Sequence, residues 1–204
     1  MIPPAPPHVS AAVEGSVDRV VVERLLSDSG LSAGPIYGMR GKDHLRKNLR
    51  AYNHSATRLW WTVLVDLDHD ADCAPALVKE WLPKPSVFMR LQVAVREVEA
   101  WLLADTEQMA RFLSVASHHL PENPEMLENA KRSIVDLARR SRRMDIRRGL
   151  VPRDGSGREV GAAFTASMIE FVTRFWRPEV AESRSDSLRR YRRRLAGIRE
   201  RIAQ

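Results

Sequence analysis

Leu59-Trp60-Trp61-Thr62-Val63-Leu64-Val65 is followed at once by Asp66-Leu67-Asp68-His69-Asp70. A continuous apolar run rich in aromatic and β-branched residues marks a strand covered on both faces. Working outward, the pattern repeats. His8–Val13 is a short apolar strand that ends in Glu14-Gly15, and residues 17–26 carry Val17, Val20, Val21 and Leu25 at helical spacing before Ser29-Gly30. Residues 35–39 read as a second strand, and 42–52 as a polar helix with Leu45 and Leu49 four apart. Residues 75–82 are helical, and 87–95 place Val87, Met89, Leu91, Val93 and Val95 on one face of a further strand. Strands alternating with helices predict an α/β fold, a parallel sheet flanked by helices.

The second half carries helix signals only. Residues 99–113 are helical and hydrophobic, and Pro121 to Pro124 is a break. Met126, Ala130, Ile134 and Leu137 make one stripe, Phe164, Met168, Phe171 and Phe175 a second, and Leu188, Tyr191, Leu195, Ile198 and Ile202 a third. Residues 149–161, with Pro152 and Asp154-Gly155-Ser156-Gly157, form a loop. The division expected is an α/β domain over 1–115 and a basic, mostly helical extension over 116–204. A length of 204 residues suits one domain with such an appendage. Global disorder is excluded by composition, with 44% hydrophobic residues. A lone cysteine, Cys73, excludes a disulfide framework and a cysteine-rich zinc site. No apolar run is long enough for a membrane span. Residues 1–10 lack the basic and apolar regions of a leader, so the expected compartment is the cytoplasm.

Three acidic clusters follow three of the strands. In an extended chain, residues two apart share a face, so Asp66, Asp68 and Asp70 are expected to converge at the carboxyl end of their strand. Ligands of open parallel sheets sit there. Gathered carboxylates repel one another unless a cation joins them, and hard oxygen donors suit Mg²⁺, Mn²⁺ or Ca²⁺. The competing reading is a polar loop in which an aspartate caps the next helix. Glu14 ends the first strand before a glycine turn, and Asp18 lies in the following helical turn, where the helix dipole alone would favour it. Glu97 and Glu99 share a face if the chain is extended there and diverge if a helix has begun.

The arrangement Glu14-Gly15 with Asp18, then Asp66-x-Asp68 after an apolar strand, is similar to the Toprim pattern of primases, topoisomerases, recombination proteins and OLD-type nucleases. Arg96-Glu97-x-Glu99-Ala100-Trp101-Leu102-Leu103-Ala104-Asp105 resembles more specifically a bacterial Toprim-like family, domain-of-unknown-function family 4276. Gly41-Lys42, Val151-Pro152-Arg153-x-Gly155-Ser156-Gly157-Arg158 and Ser183-x-Ser185-x-Ser187-Leu188 match it too. The resemblance implies a Toprim-like, Rossmann-like sheet with a helical C-terminal extension. It implies Glu14 as a general acid/base or metal ligand, Asp66 and Asp68 as ligands of Mg²⁺ or Mn²⁺, Asp18 as a ligand of a second metal, and Glu97 or Glu99 as a further catalytic acid; Asp70 joins the metal ligands by the strand alternation above. It further implies phosphodiester cleavage in bacterial defence or repair, where paired metal ions clamp the attacking and leaving oxygens. OLD-like nucleases keep a lysine near the scissile phosphate. Here Lys131 and several arginines are the candidates, and arginine does not readily donate a proton.

Charge is divided unevenly. Up to residue 130 the chain holds 13 Lys and Arg against 17 Asp and Glu; beyond it, 20 against 9. Residues 139–148 carry six arginines and residues 189–194 five. Lys42, Arg139, Arg140, Arg142, Arg143, Arg189 and Arg190 are therefore expected to contact a nucleic-acid backbone without reading bases. A solubilising face, or a contact with an acidic partner, is the other reading of these charges. Trp60, Trp61, Trp81, Trp101 and Trp176 lie on apolar segments and read as core. His118-His119 would not share a helix face, and His69 is at most an outer-sphere group. Function thus reads first as a Mg²⁺-dependent nuclease. The alternatives are a non-catalytic binding module working through a partner such as an ATPase, and a metal-dependent phosphohydrolase of a small phosphate ester or nucleotide.

Overall fold

The computed structural model describes residues 6–203. The reading of residues 1–10 as no leader falls in part on residues 1–5, outside the described residues. The chain forms two compact units. One runs up to Ala94 and resumes at Arg190, and the other is Val95–Arg189. The boundary expected after residue 115 thus falls inside the second unit, and the last helical stretch belongs with the sheet.

The first unit holds a four-stranded, all-parallel sheet flanked by helices. In chain order it contains β1 (His8–Val13), α1 (Ser16–Asp28), β2 (Ser32–Gly38), α2 (Lys42–Ser55), β3 (Trp61–Asp66), α3 (Ala74–Trp81) and β4 (Met89–Ala94). The strand order is β2-β1-β3-β4. Every residue of β3 is buried, as its unbroken apolar run requires. The connection out of β1 runs to one side, toward β2, and the connection out of β3 to the other, toward β4. The order therefore reverses between β1 and β3, the switch point at which open parallel sheets bind ligands.

Strand ends differ from the sequence reading where burial stops. Leu59 and Val87 lie outside β3 and β4 and are 63% and 71% exposed. The chain is still turning there, so neither residue faces the sheet.

Helix α10 (Asp186–Ile202) crosses the boundary between the units. Its part in the first unit buries Tyr191, Leu195 and Ile198, whereas Ile202 stays 38% exposed. Tyr191 Oη meets Thr62 Oγ1 at 2.9 Å in the interior, and burial pushes the phenol well above its usual pKa. Tyr191→Phe should cost about 1–2 kcal/mol, because it strips a partner from a buried threonine hydroxyl. A melting curve of the variant that overlays wild type would show that water replaces the phenol.

The second unit is built from α4 (Val98–Ala104), α5 (Thr106–Leu113), α6 (Ala130–Arg139), α7 (Met144–Leu150), α8 (Phe164–Arg174), α9 (Pro178–Ala181) and the first turn of α10. The single helix expected over 99–113 is broken at Asp105. Its carboxylate accepts from Gln108 N and from the backbone and guanidinium of Arg177, which is possible only where the helix ends. Met126 is not part of the α6 stripe: it sits in a short 3-10 turn and is 78% exposed. Phe175 lies just past α8 and is 40% exposed. The serines of Ser183-x-Ser185-x-Ser187 have a local task. Glu125 accepts from Ser185 Oγ and from the Ser187 backbone and hydroxyl, and so caps the start of α10.

Candidate acidic site

The site of the first unit is assembled by strand adjacency. Glu14 follows β1 and Asp66 ends β3, and the two strands pair in parallel. Glu14 Oε1 accepts a hydrogen bond from Asp66 N at 2.8 Å. Residues 52 apart in sequence are thereby tied together at the switch point. Asp18 is buried in the first turn of α1, where its Oδ2 accepts from Gly15 N at 2.8 Å and caps the helix.

The loop after β2 supplies a cation. Gly38 has φ 90°, and a Cβ there would lie 2.2 Å from Val13 O, so only glycine allows the approach. Met39 N then donates to Val13 O, and Gly41 N to Glu14 O, which holds the loop against the end of β1. Lys42, the first residue of α2, emerges beside the acids. Its ammonium lies 2.7 Å from Asp68 Oδ2 and 2.6 Å from Asp70 Oδ2. Burial alone would lower the Lys42 pKa, but the hydrogen bonds to Asp68 and Asp70 outweigh it and raise the value.

Alternation along an extended chain does not explain this arrangement. The chain leaves the sheet at Asp66 and turns, with Asp70 N donating to Leu67 O and Asp68 at φ 44°. Asp68 and Asp70 converge on Lys42 instead of lining up with Asp66. A left-handed backbone at a residue other than glycine is strained by about 1 kcal/mol, least so for aspartate and asparagine.

Glu14 is the perturbed group. Burial lifts its pKa from 4.5 to about 7, with Asp18 and Asp68 adding to the rise and the Asp66 amide and Lys42 opposing it. Between these two values the folded chain holds a proton that the unfolded chain has released, so stability falls as pH rises through this window. In metal-free buffer Glu14→Gln should therefore match wild type near pH 4. It should exceed wild type at pH 8, by up to about 3 kcal/mol. Equal loss at both pH values in urea melts would mean that the Glu14 contact, and not its charge, is what matters.

The donors are carboxylate oxygens throughout, the chemistry that Mg²⁺ or Mn²⁺ takes. Lys42 supplies one positive charge to Asp68 and Asp70, as a bound cation would. Among the described residues, no three His, Cys, Asp or Glu side chains are gathered closely enough to hold a metal ion. Glu14, Asp66 and Asp68 thus fit a hard cation in kind, while Lys42 holds Asp68 to itself.

The second unit has its own acidic pair. Glu97 is the extended residue before α4 and Glu99 lies in its first turn, and both are buried. Glu97 Oε2 accepts from Lys131 N at 3.0 Å, at the start of α6. Lys131 Nζ lies 3.4 Å from Glu97 Oε1 and 3.6 Å from Glu99 Oε2. The junction between extended chain and helix lets both carboxylates reach one ammonium, although a pure helix would turn them apart.

Of the arginines, Arg139, Arg140, Arg142 and Arg143 are exposed around the end of α6 and the start of α7. Arg139 pairs with Asp136 at 3.6 Å, Arg143 with Asp145, and Arg189 with Asp186. Arg190 is exposed on the part of α10 that belongs to the first unit. The five tryptophans are all buried, none more than 9% exposed. His118 and His119 occupy a 3-10 turn, with ring centroids 4.2 Å apart. Sequence reading missed Lys42 as the partner of the aspartates. Its signal was the glycine before it, which brings the first residue of α2 to the sheet edge. No protein-family model matches this chain, and no curated protein or solved structure does.

Proposed function

We propose that the first unit is a Mg²⁺- or Mn²⁺-dependent phosphodiesterase site acting on nucleic acid, of the Toprim-like kind. The observation that carries this reading is the meeting of Glu14 and Asp66 at the carboxyl ends of β1 and β3, on either side of the switch point. Glu14, Asp66 and Asp68 would hold the ion, which supplies charge neutralisation at phosphoryl oxygens and a more acidic bound water. The chain's own groups do the rest. Glu14, whose burial lifts its carboxyl pKa to about 7 without metal, would release that proton on taking the ion. Lys42 offers a mobile point charge to a phosphate once a cation replaces it on Asp68 and Asp70. The resemblance of Glu14-Gly15, Asp66-x-Asp68 and the Arg96 to Asp105 segment to family 4276 supports the same chemistry. By that resemblance Glu97 or Glu99 supplies a further acid.

The test is cleavage of labelled single-stranded and duplex DNA and RNA with Mg²⁺ or Mn²⁺, and its arrest by a chelator. Hydrolysis of a small phosphate ester without polymer cleavage would move the assignment to a phosphohydrolase. Metal binding without turnover of any ester would leave a non-catalytic module, the reading that the Lys42 ion pairs favour. No bound metal at all would sink the site.

A further inference from the structure

Trp60, just before β3, is the centre of a cationic cluster on the first unit. Arg90 Cζ lies 4.8 Å and Arg201 Cζ 5.9 Å from its ring centroid. The indole is itself fixed by an edge-on contact with Phe88, at 5.2 Å. Arg90 Nη1 donates to Val87 O and Met89 O, at 3.1 and 2.7 Å. Further along β4, Arg194 Nη1 donates to Gln92 Oε1 at 2.8 Å. All these partners are neutral, and among the described residues Arg90, Arg194 and Arg201 make no ion pair. Elsewhere the pattern differs, since Arg139, Arg143 and Arg189 each face an aspartate. Burial, and then the charges of Arg201 and Arg194, holds Arg90 below the usual arginine pKa, so the cluster is short of negative charge.

The cluster is a row along an edge. β4 is a terminal strand of the sheet. Arg90 and Gln92 share one face of it. Arg194 and Arg201 are seven apart on α10, two helical turns or about 10 Å. Phosphates recur about every 3.4 Å of rise along one strand of a duplex, so such a row spans several of them. Guanidinium groups hold phosphate oxygens in bidentate fashion and keep their charge at any working pH. The row also has a direction. Arg90 is in register with Thr62 and Ala94 with Asp66, so β4 leads from the cluster to the acidic site four residues on, about 13 Å.

We propose that the β4 edge with α10 is the track for the phosphodiester backbone of a nucleic-acid strand, with Arg90, Arg194 and Arg201 as its phosphate contacts and Trp60 as the platform that orients two of them. This rests on the nucleic-acid reading above and names the surface that delivers the strand to Asp66. An acidic protein or an anionic membrane would also meet the charge, but neither accounts for a line of cations that ends at a phosphodiesterase site.

The test uses the full chain with chelator present, so that binding is read without cleavage. A labelled single strand and its duplex are titrated between about 50 and 200 mM salt. For every phosphate that a variant no longer neutralises, the log–log slope should flatten by about 0.7 on the single strand and 0.9 on the duplex. Arg194→Gln and Arg201→Gln should each do so, and Arg90→Gln with them, whereas Arg90→Lys and Arg201→Lys keep the slope. If Arg90→Gln fails to fold, Arg201→Gln, an exposed side chain whose contact is the ring, decides the matter. Unchanged slopes in Arg194→Gln and Arg201→Gln overturn the track and leave the acidic site standing. Wild type that binds no polymer but hydrolyses a small diester overturns the track together with the polymer substrate. Binding to phosphatidylserine vesicles that is abolished in Arg201→Gln, with nucleic-acid slopes unchanged, would assign the surface to a membrane and overturn the proposal.

Discussion

Asp66→Asn should lower metal-dependent phosphodiester cleavage by about 10²–10³-fold and leave the protein folded. Asp66 ends a fully buried strand, is 7% exposed itself, and donates its backbone N–H to Glu14. Asparagine keeps the size of the side chain and that backbone hydrogen bond. It removes the charge that a hard cation needs. In metal-free buffer the variant should melt at or above the wild-type temperature, because one member of a mutually repelling set is gone. The result to fear is a metal-free melting temperature lower by many degrees, with activity falling in proportion. Asp66 would then be structural. Asp18→Asn makes the contrast: it weakens the cap of α1, at a cost of about 1 kcal/mol, and should leave most of the activity.

Trp176→Ala should be the most destabilising single change, costing about 3–5 kcal/mol. Trp176 is fully buried within the second unit, and its indole N–H donates to Trp101 O at 3.2 Å. Trp101 is also fully buried and donates to Ser187 Oγ at 2.7 Å. Truncation empties the largest kind of side-chain volume and removes the indole's hydrogen bond to Trp101 O. For a chain of this size each kcal/mol moves the melting temperature by roughly 2–4 °C, so a drop of about 10 °C or more is expected. Thermal melts followed by circular dichroism measure it. A change of a degree or two would mean that the cavity collapses or that Trp176 is not in the interior.

The four strands, most of the longer helices and the class of the fold are legible in the sequence alone. The short, β-branched and aromatic apolar run into Asp66 is typical of a strand covered on both faces, and the alternation around it argued for a parallel sheet between helices. The stripes of α6, α8 and α10 told which faces are buried, since local periodicity directly reports the side that meets a core. It also placed acids after β1, β3 and β4, because a carboxylate following an apolar strand is visible in one dimension.

Which charges meet depends on the arrangement of the chain in space. Glu14 joins Asp66 because β1 and β3 are neighbours, and strand order is not written in any local pattern. Asp68 and Asp70 turn to Lys42 because the chain leaves the sheet at Asp66 and Gly38 lets the β2–α2 loop approach β1. Glu97 and Glu99 share Lys131 because α6 begins beside them. Arg90 meets Arg194 and Arg201 because the chain returns to the first unit in α10, about a hundred residues later. A hydrophobic pattern selects a buried face within a few residues, whereas the Coulomb energy of a pair depends on distance in space alone.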